Sequence, residues 1–520
     1  MLKSSLLVML FCIHAGCSAS YYSKQADEDG LELVTEKRQS VDRARENLLD
    51  PRDELEPREK KQAEFEVPAK LDLDDAVRLA TLHNRGFETR REAFFLQALS
   101  LDLTRRDFLE TVFSGSAGYT GSDGRALRFT DSAFLTLSGT RLLPTGGRLT
   151  VTGAGNNSTL AVDDGTVQDA GATGIVTLTQ PLLRGAGRKV AFEPLTQAER
   201  TLLYEARDFE FFRETFAVDI IEQYYNLVRQ KQEIANEERR LKNQEFAQNQ
   251  AKALYAIGTQ SSVDVQRAEQ SFLDAQNSLL DTETQYRLSL DRFKIQLGVP
   301  TDTEFEIGDE LPAIVEFEID MERAVQAALH NRLDLRTTRD RVADAERALN
   351  VSKNNLLPDL DLDATYTTDS AGSDSLRRLF FDNQTIRFGV NLEIPLDRKA
   401  ERNQYKSALI TLDRARRTLR REEDSVILEI RGLLRALRTV RSQLRIGERE
   451  IDSLVRQATQ ADLENRAGLS SNRDKIEALD ELTEARNRQL SRTVNYEVAR
   501  LRFIQALGLM FVDEEGRIVS

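Results

Sequence analysis

The sequence predicts an α+β chain built from two internal repeats, in which very long helices alternate with short, two-faced strands. Three observations carry that prediction. A glycine–hydroxyl–aspartate turn occurs twice at one fixed spacing. Runs of about 70 residues with a narrow apolar stripe lead into each turn. Stretches of strict period two lie between the helical segments.

The N-terminal stretch reads as an export signal. Lys3 precedes the apolar run Leu6 to Ile13, which ends at Ala15-Gly16-Cys17. That run is too short to span a bilayer and has the basic, apolar and small-residue order of a secretory leader. Its ending resembles a bacterial lipobox, with His14 where that pattern prefers Leu, and makes Cys17 the candidate lipid anchor of the mature chain. Cys12 leaves with the signal and no cysteine follows Cys17. The mature fold is therefore expected to lack intrachain disulfides and thiolate metal sites.

Composition narrows the rest. Charged residues make up 30% of the 520, tryptophan is absent, and no apolar run long enough for a membrane helix follows the signal. Any membrane crossing would have to be a closed β-barrel, the other structure that satisfies every backbone polar group in lipid. A net charge of −14 argues against nucleic acid as a partner. Residues 18–70 are charged and broken by Pro51, Pro57 and Pro68, and read as a tether or strap, with Leu31 to Leu49 open to helix.

The first repeat spans 71–299 and the second 319–509, joined by a linker at 300–318 and followed by a tail at 510–520. Each opens with a short helix behind an acidic start, near Asp72 and near Asp320. His83-Asn84-Arg85 returns as His330-Asn331-Arg332, an offset of 247. Neither histidine has a second ligand at metal spacing, so both are read as structural. The period then changes to two. Leu360, Leu362, Ala364 and Tyr366 alternate with Asp361, Asp363, Thr365 and Thr367, and Ile386 to Ile394 alternate with Arg387, Gly389, Asn391 and Glu393. The stretch between them, 369–383, suits a loop. The prolines Pro181 and Pro395 are read as ending the last strand of each half. Their offset is 214 against 247 for the helices, so the first half holds about 33 extra residues. Alternating runs at 133–143 and 148–154 flank Leu143-Pro144-Thr145-Gly146-Gly147, which points first to an extra hairpin and alternatively to a surface loop.

Helical runs over 189–257 and 398–467 follow, each on the order of 100 Å long. Each reaches a tip, Gly258-Thr259-Gln260-Ser261-Ser262-Val263-Asp264 or Gly468-Leu469-Ser470-Ser471-Asn472-Arg473-Asp474, and returns through 262–298 or 472–507. Glycine suits a left-handed helix end, Ser an N-cap and Asp the first turn of the next helix. An offset of 210 carries Gly258 to Gly468, Asp264 to Asp474, Tyr286 to Tyr496 and Gly298 to Gly508.

This order of elements, with both tips, resembles the TolC-like outer-membrane efflux protein family over about residues 70–510. The resemblance implies a homotrimer whose strands form one shared β-barrel in the outer membrane and whose helices continue as a coiled-coil tunnel in the periplasm. It implies a passive conduit of a tripartite efflux or type I secretion system, with no catalytic residue, cofactor or metal. Its partners would be a periplasmic adaptor, an inner-membrane transporter and outer-membrane lipid. Gly258, Thr259, Ser261, Asp264, Gly468, Leu469, Ser470 and Ser471 would form the adaptor-docking tips, although helix capping alone explains part of that pattern. Asp474 and Glu477, three apart on one helix face, resemble the paired acidic residues that ring the closed tunnel end. The competing class is a periplasmic coiled-coil scaffold without channel activity, which leaves the two-faced strands unexplained. An enzyme is not expected, since no phosphate loop, metal spacing or nucleophile–base pair is present.

Overall fold

The computed structural model describes residues 19–45, 67–124, 128–162, 165–316, 319–370, 383–467, 469–513 and 517–519. Cys17, Gly468 and most of the 369–383 loop lie outside them. The chain forms two compact units. One comprises Met1–Ala44, Ala93–Arg207 and Thr337–Arg420; the other comprises Arg45–Glu92, Asp208–Arg336 and Arg421–Ser520.

In the first unit, helix α1 (Ala19–Arg45) lies against α3 (Arg85–Leu109). Gly30 makes the approach possible, since a Cβ there would stand 2.5 Å from the Phe95 ring. The ion pair between Arg105 and Glu36, at 3.2 Å, ties the same two helices. The tether expected at 18–70 therefore begins as a packed helix.

Six strands make one antiparallel sheet: β2 (Val112–Gly124), β3 (Arg128–Leu142), β4 (Arg148–Val162), β5 (Gly165–Pro181), β7 (Asp359–Asp369) and β8 (Asn383–Glu393), paired in that order. The extra segment of the first half is thus a hairpin inside the sheet. Its turn closes through Leu143 N–H to the Gly147 carbonyl at 2.7 Å, with Gly146 at φ 91°. Gly187 N–H donates to the Thr145 carbonyl at 2.8 Å, which fastens that turn to the segment after β5. Strand β5 ends on Pro181 as expected, whereas β8 stops at Glu393, two residues short of Pro395.

Four helical segments of this unit stand side by side in the order of the strands they adjoin. Arg105 of α3 reaches Glu199 of α5 (Glu193–Ala256) at 3.2 Å. Arg207 and Tyr204 of α5 meet Asp340 and Asp344 of α8 (Leu333–Asn354) at 2.7 and 2.6 Å. Glu346 of α8 meets Arg416 of α9 (Lys399–Arg466) at 2.9 Å. A four-residue helix, α4 (Arg188–Ala191), precedes α5, so the first long helix is not continuous from 189.

The second unit holds the two short opening helices, α2 (Leu73–His83) and α7 (Met321–Asn331), with the returning helices α6 (Ser262–Leu297) and α10 (Asn472–Ala506). Asp72 and Asp320 cap α2 and α7 by accepting from backbone N–H groups, at 2.8 Å from Asp75 in the first case. Strand β1 (Lys70–Leu71) pairs in parallel with β6 (Glu306–Ile307), and Leu71 and Ile307 join Leu79, Ile220, Leu227 and Phe293 in a core. Ala324, Ala328, Ile430, Tyr496 and Phe503 form its counterpart in the second repeat. The tail ends in a two-strand ladder, β9 (Phe511–Val512) with β10 (Ile518–Val519).

The repeated His-Asn-Arg is a joint between helices. Helix α2 stops where Asn84 turns extended (φ −66°, ψ 123°), and α7 stops likewise at Arg332. Asn84 Oδ1 accepts from Phe87 N–H at 2.8 Å and starts α3, while its Nδ2 donates to the Gln296 carbonyl at 2.6 Å.

Candidate functional site: the tips and the two-faced sheet

The two tips share one described bond at the end of the long helix and the whole cap of the returning helix. At the first, Gly258 has φ 78° and donates to the Tyr255 carbonyl, while Thr259 N–H donates to the Leu254 carbonyl at 3.0 Å. These two bonds make the Schellman ending that glycine permits. At the second, Leu469 N–H donates to the Glu464 carbonyl at 2.8 Å, the equivalent bond 210 residues later. Each returning helix then starts from a capping box. Ser261 Oγ donates to the Asp264 carboxylate at 2.7 Å and accepts from Asp264 N–H at 3.3 Å; Ser471 and Asp474 repeat this at 2.8 and 3.3 Å. The hydrogen bonds from the serine side chain and then its backbone hold both carboxyls below the usual aspartate value.

The second tip presents Leu469, 81% exposed, and Ser470 Oγ bends back to the Ala461 carbonyl at 3.4 Å. Asp474 and Glu477 do share an exposed face of α10. Their partners differ: Asp474 is engaged by Ser471, and Glu477 lies 3.7 Å from Arg473. The opposite face carries Lys475, buried, with its ammonium 2.6 Å from Asp462 and 5.3 Å from the centre of the Phe246 ring. Further along α10, Asp480 accepts from Arg240 Nε at 2.9 Å and from Gln244 at 3.1 Å, and Asn487 accepts from Asn236 at 2.6 Å. These links fasten α10 to α5. Sequence reasoning missed them because they join residues some 240 apart whose types are common on any solvated helix.

Register fixes the two faces of the sheet. One face carries Phe113, Ala117 and Tyr119 of β2, Leu137 and Leu135 of β3, and Leu149 and Val151 of β4. It continues through Val176 and Leu178 of β5, Leu362, Ala364 and Tyr366 of β7, and Leu392, Val390, Phe388 and Ile386 of β8. The apolar side chains of the edge strands are exposed, Phe388 to 78%, while Leu149, Val176 and Leu178 in the middle of the sheet are half-buried. The other face is hydroxylic and acidic. Ser114 meets Ser138 at 2.7 Å, Thr120 meets Ser132 at 2.7 Å, and Thr179 donates to Asp363 at 2.8 Å. Asp361 and Asn391 lie on this side too. Phe134 breaks the pattern by lying on the polar face over Gly118, where a Cβ would come within 2.4 Å of its ring.

The family profile described as Outer membrane efflux protein matches residues 136–298 and 324–509. No curated protein matches the chain. Among solved structures, it is similar to the outer-membrane channel OprN, at 15% identity and a TM-score of 0.63, over 84% of this chain and 89% of that one. It is similar to the Campylobacter jejuni CmeC outer membrane channel at 15% identity and a TM-score of 0.63, over 84% and 85%. The open state of the Neisseria gonorrhoeae MtrE outer membrane channel is similar at 13% identity and a TM-score of 0.61, over 84% and 89%. At these identities the likeness is one of fold.

Proposed function

The chain belongs to the outer membrane efflux protein family, and from that membership we propose that it is the passive outer-membrane conduit of a tripartite efflux or type I secretion system, working as a homotrimer. The family places it in the outer membrane with its helical part in the periplasm. The carrying observation is the six-stranded sheet with one exposed apolar face and one polar face. Such a sheet suits lipid on one side and water on the other, but only when its edges are paired. A scaffold of coiled coils has no use for an exposed row such as Phe388, Val390 and Leu392.

The two tips, Gly258, Thr259, Ser261 and Asp264 with Gly468, Leu469, Ser470 and Ser471, would dock a periplasmic adaptor, and an inner-membrane transporter would supply the energy. Exposed Leu469 supports that reading, because an exposed apolar side chain at a helix end is a natural anchor. Asp474 and Glu477 would bring six carboxylates together around a three-fold axis, a cation-selective constriction. Cys17 would carry the lipid anchor, which mass spectrometry of the mature N-terminus checks.

Planar-bilayer recording tests the conduit. Detergent-extracted protein should give discrete conductance steps that periplasmic-side multivalent cations block, and Asp474→Ala with Glu477→Ala should relieve the block while conductance persists. A protein that is soluble without detergent and silent in the bilayer would be the scaffold instead. Block unchanged in the double variant places the constriction elsewhere.

A further inference from the structure

We propose that the wall in the membrane has eighteen strands, six from each of three copies, with β2 of one copy paired to β8 of the next; the copy number rests on the trimer proposed above. Among the described residues, β2 and β8 pair on one side only, so the sheet ends in two rows of unpaired backbone groups. Both edge strands carry exposed apolar side chains on the same face, Phe113 and Tyr119 at one edge and Ile386, Phe388 and Val390 at the other. A lipid-facing edge cannot be left open. A second copy of this chain is the occupant that fits, for a reason of parity. Strands alternate in direction from β2 to β8, and their number is even. The last strand of one copy therefore runs antiparallel to the first strand of the next. An extra hairpin keeps that parity; a single extra strand would destroy it.

The inserted hairpin belongs to the wall rather than to a loop lying over it. Strand β3 pairs with β2 and β4 over 13 positions each, and β4 pairs with β5 over 15. Leu135, Leu137 and Val151 extend the apolar face without a change of side, and Ser138, Thr140 and Thr150 extend the hydroxyl face.

The width of the helical layer gives independent support. Four helix segments, α3, α5, α8 and α9, stand side by side in this unit. Neighbouring helices sit about 8–10 Å apart, so four occupy roughly 32–40 Å of arc per copy. A strand tilted by about 40° occupies roughly 6.3 Å of arc, so six occupy about 38 Å and four only about 25 Å. Six strands match the arc of the helices they join. The closed wall would be about 36 Å across between backbones, with no narrowing on passing from helices to strands. Its interior would be lined by serine, threonine and asparagine hydroxyls and amides, with Asp169, Asp361, Asp363, Arg387 and Glu393 among its charges. Such an exit suits bulky hydrated cargo rather than small apolar molecules alone.

Two measurements on the full-length protein test this. Electron cryomicroscopy in lipid nanodiscs should show three copies and eighteen strands. Single cysteines at Leu135, Thr136, Leu137 and Ser138, labelled with a fluorophore, should be quenched by brominated lipid at 135 and 137 and by a soluble lumenal quencher at 136 and 138. Three copies around a twelve-strand wall, with loss of the period-two quenching, would overturn the wider wall and leave the trimeric conduit standing. A copy number other than three would overturn the eighteen-strand count through the trimer itself, whatever the quenching pattern.

Discussion

Gly298 ends α6 directly against the carbonyl of His83: a Cβ at that glycine would stand 2.1 Å from the carbonyl oxygen. Gly508 stands in the same relation to the second joint, where a Cβ would meet Asn331 and Arg332 backbone atoms at 3.0 Å. Each repeat thus locks its returning helix onto the joint that follows its opening helix. Both glycines also have positive φ, 79° and 68°.

Gly298→Ala should therefore cost about 2–5 kcal/mol, from left-handed strain plus a backbone collision. Gly258 offers the control, with φ 78° and nothing within 4 Å of its would-be Cβ. Gly258→Ala should cost only about 1–2 kcal/mol. Denaturant unfolding of the two variants checks the difference, and equal losses would mean that the collision relaxes away.

Arg in place of Val390 should cost about 2–4 kcal/mol if the site lies near the bilayer midplane. Arg in place of its neighbour Asn391, on the polar face, should cost far less. Folding titrations into lipid vesicles compare the two. The same loss at both positions would deny the sheet a lipid-facing side.

Replacing Leu469 with Asp should weaken adaptor binding by about 1 kcal/mol or more, because it removes an exposed apolar anchor. The capping box at Ser471 and Asp474 is untouched, so α10 should retain its amide protection. In vivo cross-linking to the adaptor reads the effect, and undiminished cross-linking would remove this turn from the docking surface.

Acid should loosen the starts of both returning helices. The carboxyls of Asp264 and Asp474 have lowered values in the fold, through the hydrogen bonds from Ser261 and Ser471. A group lowered in this way stabilises above its unfolded value, about 3.9. That contribution disappears as pH falls through the lower folded value. Amide protection at 262–268 and 472–478, taken relative to intrinsic exchange at each pH, should fall below about pH 4, and Asp264→Asn should remove the pH dependence at the first tip only.

The tips were legible because their bonds are local: Gly, Ser and Asp within seven residues specify both the helix end and the next start. The second-half strands were legible because Asp361 and Asp363 contrast sharply with Leu360 and Leu362. Strand β2 was not, since Gly115, Ala117, Gly118 and Gly121 blur its alternation, and its faces are declared only by pairing with Leu135 and Leu137. The joint role of His83-Asn84-Arg85 was likewise hidden. It depends on Gln296 and Gly298, more than two hundred residues away, whose approach no local pattern encodes.

The seam between β5 and β7 joins parts of the chain that are far apart in sequence. Strands β2 to β5 follow one another within a few residues of chain, and β7 lies close in sequence to β8, but β5 meets β7 across a long separation, in a ladder that runs from Thr173↔Asp369 to Pro181↔Asp361. Joining them closes a loop of well over a hundred residues, and such long-range pairing forms late and slowly. The four-strand meander and the two-strand hairpin are therefore the early pieces, each with edges that can template a neighbouring chain. In the shared wall proposed above, chains would have to be kept apart until β7 has found β5 of its own copy, so that the order of strand docking, more than the stability of the finished sheet, would set the yield of correctly joined channels.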